Sequence, residues 1–391
     1  MNKCIRILGT RGLPAQHGGF ETFAQYLSLY LVERGWDVIV YCQDDSIDEI
    51  VEQTWRGIQL IKIPVSAHGA VGSIIFDWKS IRHAKQREGV ILTLGYNTAI
   101  FCLWLKINNK INLINMDGIE WKRQKWPALI RLWFYINEHF GCWLGNHLIA
   151  DHPEIKKHLM RRVSEKKITV IAYGAEPVMS VNKSILDQYG LTANEYLIVI
   201  ARPEPENSIV EIVTAFCAKD RPVKLVILGE YVPQKNKYHK KVLECANADV
   251  LFLGAIYDNE TVQALRAGCR LYIHGHQVGG TNPSLVEALG AGSAVMAHDN
   301  RFNRWVAGEH AKYFSNQQEC NELFDDLLMN EQQVQSMQEA SRLRFLEAFT
   351  WDKILSQYEA LLTEYAVSRT MTPKHSVIWS LILQGFFFFR K

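Results

Sequence analysis

Short apolar runs alternate with longer stretches of helical spacing along the first half of the chain. Each short run is rich in β-branched residues and precedes a helical stretch, which predicts parallel strands covered by helices. The runs predicted as strands are Cys4–Leu8, Asp37–Cys42, Ile58–Ile63, Val90–Leu94, Ile111–Met116 and His147–Ala150.

The same alternation begins again near Tyr196, which predicts a second α/β domain. Its predicted strands are Tyr196–Ile200, Val223–Leu228, Asp249–Leu253, Cys269–His274 and Ser293–Ala297. Polar residues with Gly174 and Pro177 separate the two series and indicate a linker. The predicted organisation is an N-terminal domain (1–172), a linker (173–190), a C-terminal domain (191–347), a helix (348–368) and an apolar tail (369–391).

Composition and charge are those of an ordinary globular protein. The chain is 48% hydrophobic and 21% charged with a net charge of +2, which indicates no nucleic-acid partner. Its eight cysteines form no C-x-x-C pair, so neither a zinc cage nor a redox motif is predicted, and a reduced cytoplasmic compartment fits. The apolar run before the first glycine-rich turn is too short for a signal peptide.

The first candidate site is a glycine-rich loop that joins a predicted strand to a predicted helix, within Gly9–Phe23. The free N–H groups at the start of such a helix attract anions, and Gly18 and Gly19 would let the backbone approach a phosphate. The loop contains neither a Walker motif nor G-x-G-x-x-G, which argues against a nicotinamide-dependent oxidoreductase. By itself the loop is compatible with a phosphate site or with a simple tight turn.

A second glycine-rich loop follows a strand of the other domain, within His274–Leu289. Ligands of α/β sheets bind beyond the carboxyl ends of the strands, so the two loops could serve one ligand. Glu287 could accept hydrogen bonds from a ribose diol or act only as a partner of the helix dipole. His274 and His276 could face a ligand or be structural, and no metal is predicted at them.

Three segments in order resemble glycosyltransferase family 4, in its branch of bacterial rhamnosyltransferases, and the resemblance extends to about residue 366. They are Gly9–Pro14 with Gly18–Phe23, then Asp117–Arg123, then Val278–Leu285. The resemblance implies the GT-B fold, in which two Rossmann-like doubly wound domains face an inter-domain cleft. It also implies a nucleotide-sugar donor on the C-terminal domain, an acceptor on the N-terminal domain, retention of anomeric configuration, and a last helix that returns to the first domain.

Residue roles follow from the resemblance position by position. Implied catalytic residues are Asp117 and Arg202. Implied donor-binding residues are Gly18, Gly19, Arg202, Asn207, Gly279, Gly280, Thr281, Asn282 and Glu287. Implied acceptor-binding residues are Glu21, Asp117, Glu120 and Trp121. The wider family has a glutamate where this chain has Gly279 and a lysine where it has Asn207, which we interpret as donor specialisation.

The resemblance implies transfer of L-rhamnose from dTDP-L-rhamnose to a lipid-linked saccharide, in the synthesis of a bacterial surface polysaccharide such as O-antigen or capsule. The alternatives are a hexosyltransferase that uses a UDP-sugar and a non-catalytic nucleotide-sugar-binding protein. The chain has no Asp-x-Asp motif, which agrees with transfer that needs no metal or other cofactor.

Two segments are candidates for peripheral contact with the inner face of the cytoplasmic membrane. The first mixes basic and aromatic residues, as interfacial segments do, and consists of Trp121–Pro127 followed by Ile130, Leu132, Trp133 and Phe134. A helix packed on the core would have a similar sequence pattern. The resemblance favours the membrane. Ser376–Phe389 is apolar but shorter than the roughly 18 to 20 residues that span a bilayer, so it suits an interfacial anchor, a packed segment or a disordered tail.

Overall fold

A computed structural model of the chain describes residues 3–15, 18–123 and 125–368. The described residues form two compact units. The N-terminal unit contains the residues up to Ile171 together with those from Leu355 onward, and the C-terminal unit is Ala172–Ile354. The prediction of two Rossmann-like α/β domains is confirmed. The predicted tail, 369–391, lies outside the described residues.

The N-terminal unit is built on a sheet that, among the described residues, has eight strands in the order β3-β4-β2-β1-β5-β6-β7-β8. Only the β3–β4 pair is antiparallel. The strands are β1 (Cys4–Leu8), β2 (Asp37–Asp44), β3 (Val51–Trp55), β4 (Ile58–Pro64), β5 (Val90–Leu94), β6 (Asn112–Asn115), β7 (His147–Ala150) and β8 (Ile168–Val170). Because β1 lies between β2 and β5, the strand order reverses there, and ligands of such sheets bind at that point.

Helices cover this sheet, and its central strands are buried on both faces, as parallel strands usually are. On β1 the adjacent residues Ile7 and Leu8, whose side chains point to opposite faces of the sheet, are both buried. The helices are α1 (Gly19–Glu33), α2 (Gly69–Ala84), α3 (Leu103–Ile107), α4 (Ala128–Leu144) and α5 (Pro153–Leu159), with 3-10 turns at Ala99–Cys102, Glu120–Lys122 and Glu165–Lys167.

The C-terminal unit has a parallel sheet that, within the described part of the chain, contains six strands in the order β11-β10-β9-β12-β13-β14. They are β9 (Tyr196–Ile200), β10 (Lys224–Leu228), β11 (Val250–Gly254), β12 (Leu271–His274), β13 (Val295–His298) and β14 (Lys312–Phe314). The strand order reverses between β9 and β12, so a ligand site is expected at their carboxyl ends.

The helices of this unit follow its strands. They are α6 (Lys183–Gln188), α7 (Ile209–Cys217), α8 (Lys237–Glu244), α9 (Asn259–Gly268), α10 (Pro283–Gly290), α11 (Arg301–Ala307), α12 (Gln317–Met329) and α13 (Glu331–Ala348), with a 3-10 turn at Pro205–Asn207. The last helix, α14 (Trp351–Ser368), begins in the C-terminal unit, and its residues from Leu355 belong to the N-terminal unit.

The structure differs from the sequence interpretation between residues 173 and 190. That stretch is part of the C-terminal unit and contains α6. Ala175 and Leu186 are buried in the core of the unit, and the backbone N–H of Ala175 donates to Phe349 O over 2.9 Å. Polar residues and glycine had indicated a linker, but the few apolar side chains in the stretch are enough to attach it to the core.

Candidate functional site

In the N-terminal unit, the glycine-rich loop packs tightly against the end of β5. Gly9 has a positive φ of 83°, and a Cβ there would lie 2.1 Å from Leu94 O, so the residue must be glycine. Gly18, with φ 111°, precedes the first residue of α1 and is exposed, as is Gly19. The first amides of α1 therefore begin at the surface, where a helix start favours negative charge.

Glu21 lies in the first turn of α1 and closes this loop. Its Oε1 accepts a hydrogen bond from the backbone N–H of Arg11 over 3.2 Å. Its Oε2 would lie 2.1 Å from a Cβ at Gly18, but this carboxylate could move, and the positive φ of 111° is what favours glycine there. The predicted acceptor-binding Glu21 thus also has a structural role.

The carboxyl ends of β1, β2 and β5 border a cavity of about 670 Å³ that is lined entirely by residues of the N-terminal unit. Its wall is mainly apolar and aromatic, and a few polar side chains interrupt it, as in most small-molecule sites. Glu21 and Glu120, both predicted to bind the acceptor, line it. Lining residues that the sequence interpretation did not assign to the site include Phe20, Asp77, Thr98, Trp126 and Trp133.

Asp117 follows β6 in a left-handed backbone conformation, with φ 48°. Its backbone N–H donates to Asn115 Oδ1 over 3.0 Å, and Asn115 Nδ2 donates to the hydroxyl of Tyr358 on α14 over 2.9 Å. Desolvation, together with a smaller effect of the nearby Glu120 carboxylate, raises the pKa of the Asp117 carboxyl to about 6. A carboxyl that titrates near neutrality is a common feature of functional sites.

The segment that follows Asp117 is fixed by side-chain hydrogen bonds. The Glu120 carboxylate pairs with Arg123 at 2.9 Å and accepts from Trp126 Nε1 over 3.1 Å. Its backbone N–H donates to the Tyr96 hydroxyl over 2.9 Å. Glu120 therefore holds the Trp126 ring in position at the cavity.

Trp121 was predicted to bind the acceptor, but its indole N–H donates to Glu138 Oε2 over 3.0 Å and it is not among the residues that line the cavity. Glu138 is buried and paired with Arg162 at 2.7 Å and His158 at 2.9 Å. This ion cluster and Trp121 anchor the segment to α4 and α5. The tryptophan of this segment that lines the cavity is Trp126.

In the C-terminal unit, the loops that follow β9 and β12 are joined by hydrogen bonds. The hydroxyl of Ser208 donates to Gly275 O over 2.9 Å, and the backbone N–H of Gln277 donates to Glu206 O over 2.9 Å. A Cβ at Gly275 would lie 2.0 Å from Asn207 O, so the two backbones touch. These bonds place the predicted donor-binding segments together at the reversal of strand order.

Arg202 and Asn207 occupy different environments in this loop pair. Arg202 is exposed, and among the described residues its guanidinium has no ion-pair partner. Asn207 is buried, and its Nδ2 donates to the carbonyl of Arg202 over 2.8 Å. Both are predicted to bind the donor, but only the side chain of Arg202 is exposed to solvent. The side chain of Asn207 stabilises the loop that carries Arg202.

The loop before α10 carries the four consecutive predicted donor-binding residues. Gly279 has a φ of 143°, and a Cβ there would meet no atom within 4 Å. Gly280 follows it, and Thr281 is buried. Asn282 caps the start of α10, and its side chain accepts from the backbone N–H of Ser284 over 3.0 Å.

Glu287 is one turn into α10 and forms an ion pair with Arg266 at 2.5 Å. Arg266 is itself buried and also donates to Ser284 Oγ over 3.1 Å. The Glu287 side chain is 36% exposed, so part of the carboxylate faces solvent while Arg266 sets its direction. The arrangement suits a carboxylate that accepts hydrogen bonds from a ligand.

His274 is a packing residue at the end of β12. Its ring stacks on that of His276 with the centroids 4.2 Å apart and an interplanar angle of 11°. It is fully buried, and desolvation holds the pKa of its imidazole well below the usual value, so the ring is neutral. Within 3–15, 18–123 and 125–368, no group of three or more His, Cys, Asp or Glu side chains is arranged to hold a metal ion.

Two family models match the chain, one in each half. Residues 2–176 match a domain of unknown function, DUF1972, and residues 183–344 match glycosyl transferases group 1. No curated protein sequence is significantly similar to the chain.

Solved structures resemble the chain over most of its length at low sequence identity. Sucrose-phosphate synthase from Thermosynechococcus elongatus has a TM-score of 0.79 and 16% identity, with 94% of this chain and 100% of that chain covered. Anabaena HepE in complex with UDP and glucose has a TM-score of 0.73 and 14% identity, with 93% and 100% covered. At this identity the likeness concerns the fold, and it confirms the GT-B prediction.

The described residues contain no helix that combines the length and the apolar composition needed to cross a bilayer. The prediction that the protein contacts a membrane peripherally, at the inner face of the cytoplasmic membrane, remains a prediction.

Proposed function

We propose that the chain is a glycosyltransferase that transfers L-rhamnose from dTDP-L-rhamnose to a lipid-linked saccharide with retention of anomeric configuration, and the match of residues 183–344 to glycosyl transferases group 1 supports sugar transfer. The choice of sugar and acceptor rests on the resemblance of Gly9–Phe23, Asp117–Arg123 and Val278–Leu285 to rhamnosyltransferases. The proposed product is a bacterial surface polysaccharide, O-antigen or capsule.

The observation that carries the proposal is the joined loop pair of the C-terminal unit. It carries the exposed guanidinium of Arg202, which has no ion-pair partner among the described residues, and the loop that leads to α10 and its oriented Glu287 carboxylate. Arginine suits a diphosphate, and so does the positive end of the α10 dipole, although the first-turn N–H groups of Ser284, Leu285 and Val286 are bonded to Asn282. A fixed carboxylate suits the hydroxyls of a nucleoside. In the N-terminal unit, the exposed start of α1 at Gly18 and Gly19 favours an anion, in agreement with the donor-binding role that the resemblance implies for these glycines.

The reaction follows from charge. The bond between the sugar C1 and the diphosphate oxygen breaks, so positive charge develops on the ring and negative charge on the leaving diphosphate. Arg202 stabilises that negative charge, and a preorganised donor of this kind typically contributes about 100-fold to 1,000-fold in rate. The acceptor hydroxyl oxygen forms the new bond to C1 on the same face, and its proton passes to a leaving diphosphate oxygen. Asp117 orients that hydroxyl, and the proposed transfer requires no metal.

For membrane contact we propose the outer face of α4. Leu129, Leu132, Ile136 and Trp143 are exposed and spaced so that they form one stripe along the helix. The exposed Lys122 and Arg131 lie near the start of this stripe in sequence. Apolar side chains with adjacent cations are typical of helices that lie in a membrane interface. The opposite face of α4 is buried, as the core-packing alternative requires, so the helix serves both purposes.

The donor is tested by thermal unfolding with dTDP-L-rhamnose, UDP-glucose and GDP-mannose, because a ligand that binds only the folded protein raises its unfolding temperature. We expect the largest shift with dTDP-L-rhamnose and little shift from any sugar in Arg202→Gln. The largest shift with UDP-glucose would favour the hexosyltransferase alternative. Binding without release of the nucleoside diphosphate, with or without a lipid-linked acceptor, would favour a non-catalytic protein.

Membrane contact is tested by sedimentation with vesicles of phosphatidylethanolamine, with and without phosphatidylglycerol. We expect the intact protein to bind the anionic vesicles and a Leu129→Ser, Leu132→Ser variant to remain in solution. Met329→Ser is the matched control, since Met329 is 88% exposed in the C-terminal unit. Equal binding of both variants would exclude the α4 stripe as the contact.

A further inference from the structure

We propose that the cavity of the N-terminal unit binds an uncharged saccharide, the terminal sugar of the acceptor, and that Asp77 binds hydroxyl groups of that sugar. The inference rests on the proposed function and specifies the substrate class that the acceptor site takes. It is argued from the position of Asp77, from the aromatic wall and from the charges around the cavity.

Asp77 lies in the middle of α2 and lines the cavity. Its Oδ2 accepts a hydrogen bond from Thr98 Oγ1 over 2.7 Å, and among the described residues its carboxylate has no ion-pair partner. Desolvation raises the pKa of the carboxyl to about 6. A carboxylate that is removed from water without a cation retains acceptor capacity, and sugar hydroxyls are donors that can use it.

The aromatic wall suits the face of a sugar ring. The Trp126 and Trp133 side chains both line the cavity, and their indole N–H groups are already bonded. Trp126 Nε1 donates to Glu120 Oε2 over 3.1 Å, and Trp133 Nε1 donates to Asn97 O over 2.8 Å. Each ring is therefore held in place with its edge occupied. The face of a pyranose that carries C–H groups is apolar, so its burial against an aromatic ring is favourable. Because the two rings are already fixed, binding loses little side-chain conformational entropy.

The charges around the cavity determine which saccharides fit. Three carboxylates line it, those of Glu21, Asp77 and Glu120, against one lining cation, Arg11. Arg123 pairs with Glu120 at 2.9 Å, so the two remaining carboxylates face the single charge of Arg11. A phosphate or a uronic acid would place negative charge beside these carboxylates, which like-charge repulsion disfavours in a partly desolvated site. A neutral hexose or an N-acetylhexosamine avoids that repulsion. A volume of about 670 Å³ lies within the usual range for small-molecule sites.

The experiment measures binding of defined probes to the full chain by saturation-transfer NMR in the presence of dTDP. The probes are the methyl glycosides of glucose, rhamnose and N-acetylglucosamine, methyl glucuronide, glucose 6-phosphate and n-octanol. We expect at least one neutral glycoside to bind and both anionic sugars not to bind. Equal binding of methyl glucuronide and methyl glucoside would overturn the substrate class, and selective binding of n-octanol would show that the cavity takes an alkyl chain.

Asp77→Asn keeps the size of the side chain and an acceptor for Thr98, and we expect it to weaken binding of the neutral glycosides about tenfold to 100-fold. Asp48→Asn, a change of an exposed carboxylate of the same unit, is the matched control and should bind as the unaltered protein does. Unchanged binding in Asp77→Asn would refute the assignment.

The donor-induced thermal shift should persist in Asp77→Asn, which shows that the variant is folded and that its donor site works. If the intact protein shows no shift with any nucleotide sugar, the proposed function fails. If that shift is present but no neutral glycoside binds, only the inference about the cavity fails.

Discussion

Replacement of Asp117 by asparagine should stabilise the protein and impair its reaction. The pKa of the Asp117 carboxyl is raised from 3.8 to about 6, so the folded protein binds this proton more tightly than the unfolded chain. The ionised carboxylate therefore lowers the free energy of unfolding at pH values above the folded pKa, and this cost disappears below the unfolded pKa. Asparagine has no charge and therefore carries no such cost.

The magnitude follows from the shift of about two pKa units, which corresponds to roughly 3 kcal/mol at 1.36 kcal/mol per unit. Asp117 is only half-buried, and solvent screening reduces the effect, so we expect a gain of about 1 to 2 kcal/mol. Asparagine is also well tolerated at the positive φ of 48°, so the backbone should not oppose the gain.

The assay is urea unfolding at about pH 8, where the carboxylate is ionised in both states, and at about pH 3, where it is largely protonated in both states. We expect the gain for Asp117→Asn at the higher pH and its loss at the lower pH, with no gain for Asp48→Asn at either. With saturating donor and acceptor, kcat should fall about 100-fold, a typical contribution of a positioned polar group. Full turnover, or a variant less stable than the parent at the higher pH, would refute the reasoning.

Three further predictions concern the loops. Gly9→Ala should lower the unfolding temperature markedly, since its Cβ would lie 2.1 Å from a backbone oxygen. Gly35→Ala, also at positive φ but with no atom within 4 Å of its Cβ, should lower the unfolding temperature less. Arg202→Gln should lower kcat about 100-fold in a steady-state assay, and an unchanged kcat would exclude its role on the leaving group. Glu287→Gln should weaken dTDP binding, measured by calorimetry, about tenfold because it removes a charged acceptor and its ion pair with Arg266. Equal affinity would show that Glu287 acts only as a partner of the helix dipole.

The sequence predicted most of the sheets because their strands are buried on both faces and read as continuous apolar runs. β3 was missed because Val51–Trp55 is largely exposed and polar, and β8 and β14 because each has only three residues. The glycine-rich loops were found because glycine marks positions with positive φ or close backbone approach, such as Gly9, Gly18 and Gly279.

The cavity was harder to predict, because its lining comes from segments far apart in sequence. One signal was present: Asp77 interrupts the apolar run Ile74-Ile75-Phe76 of a helix, where a charged residue needs a reason. For Asn207 the sequence predicted a ligand contact where the structure shows a hydrogen bond within the loop. Its place in a family motif implied donor binding, but whether its amide faces the ligand or the loop depends on a hydrogen bond to the Arg202 carbonyl that sequence alone does not specify.

The buried and half-buried acids of the N-terminal unit separate into two kinds by how their charge is compensated. Glu138 is buried with Arg162 and His158 in direct contact, so its charge is balanced within the fold, as a structural ion cluster requires. Asp77 and Asp117 have raised pKa values, because desolvation destabilises their ionised forms more than the neighbouring hydrogen-bond donors and charges stabilise them. A fold that needed only stability would be better served by a neutral side chain at both positions. That net cost is what a site incurs when its acceptor groups are kept for a ligand.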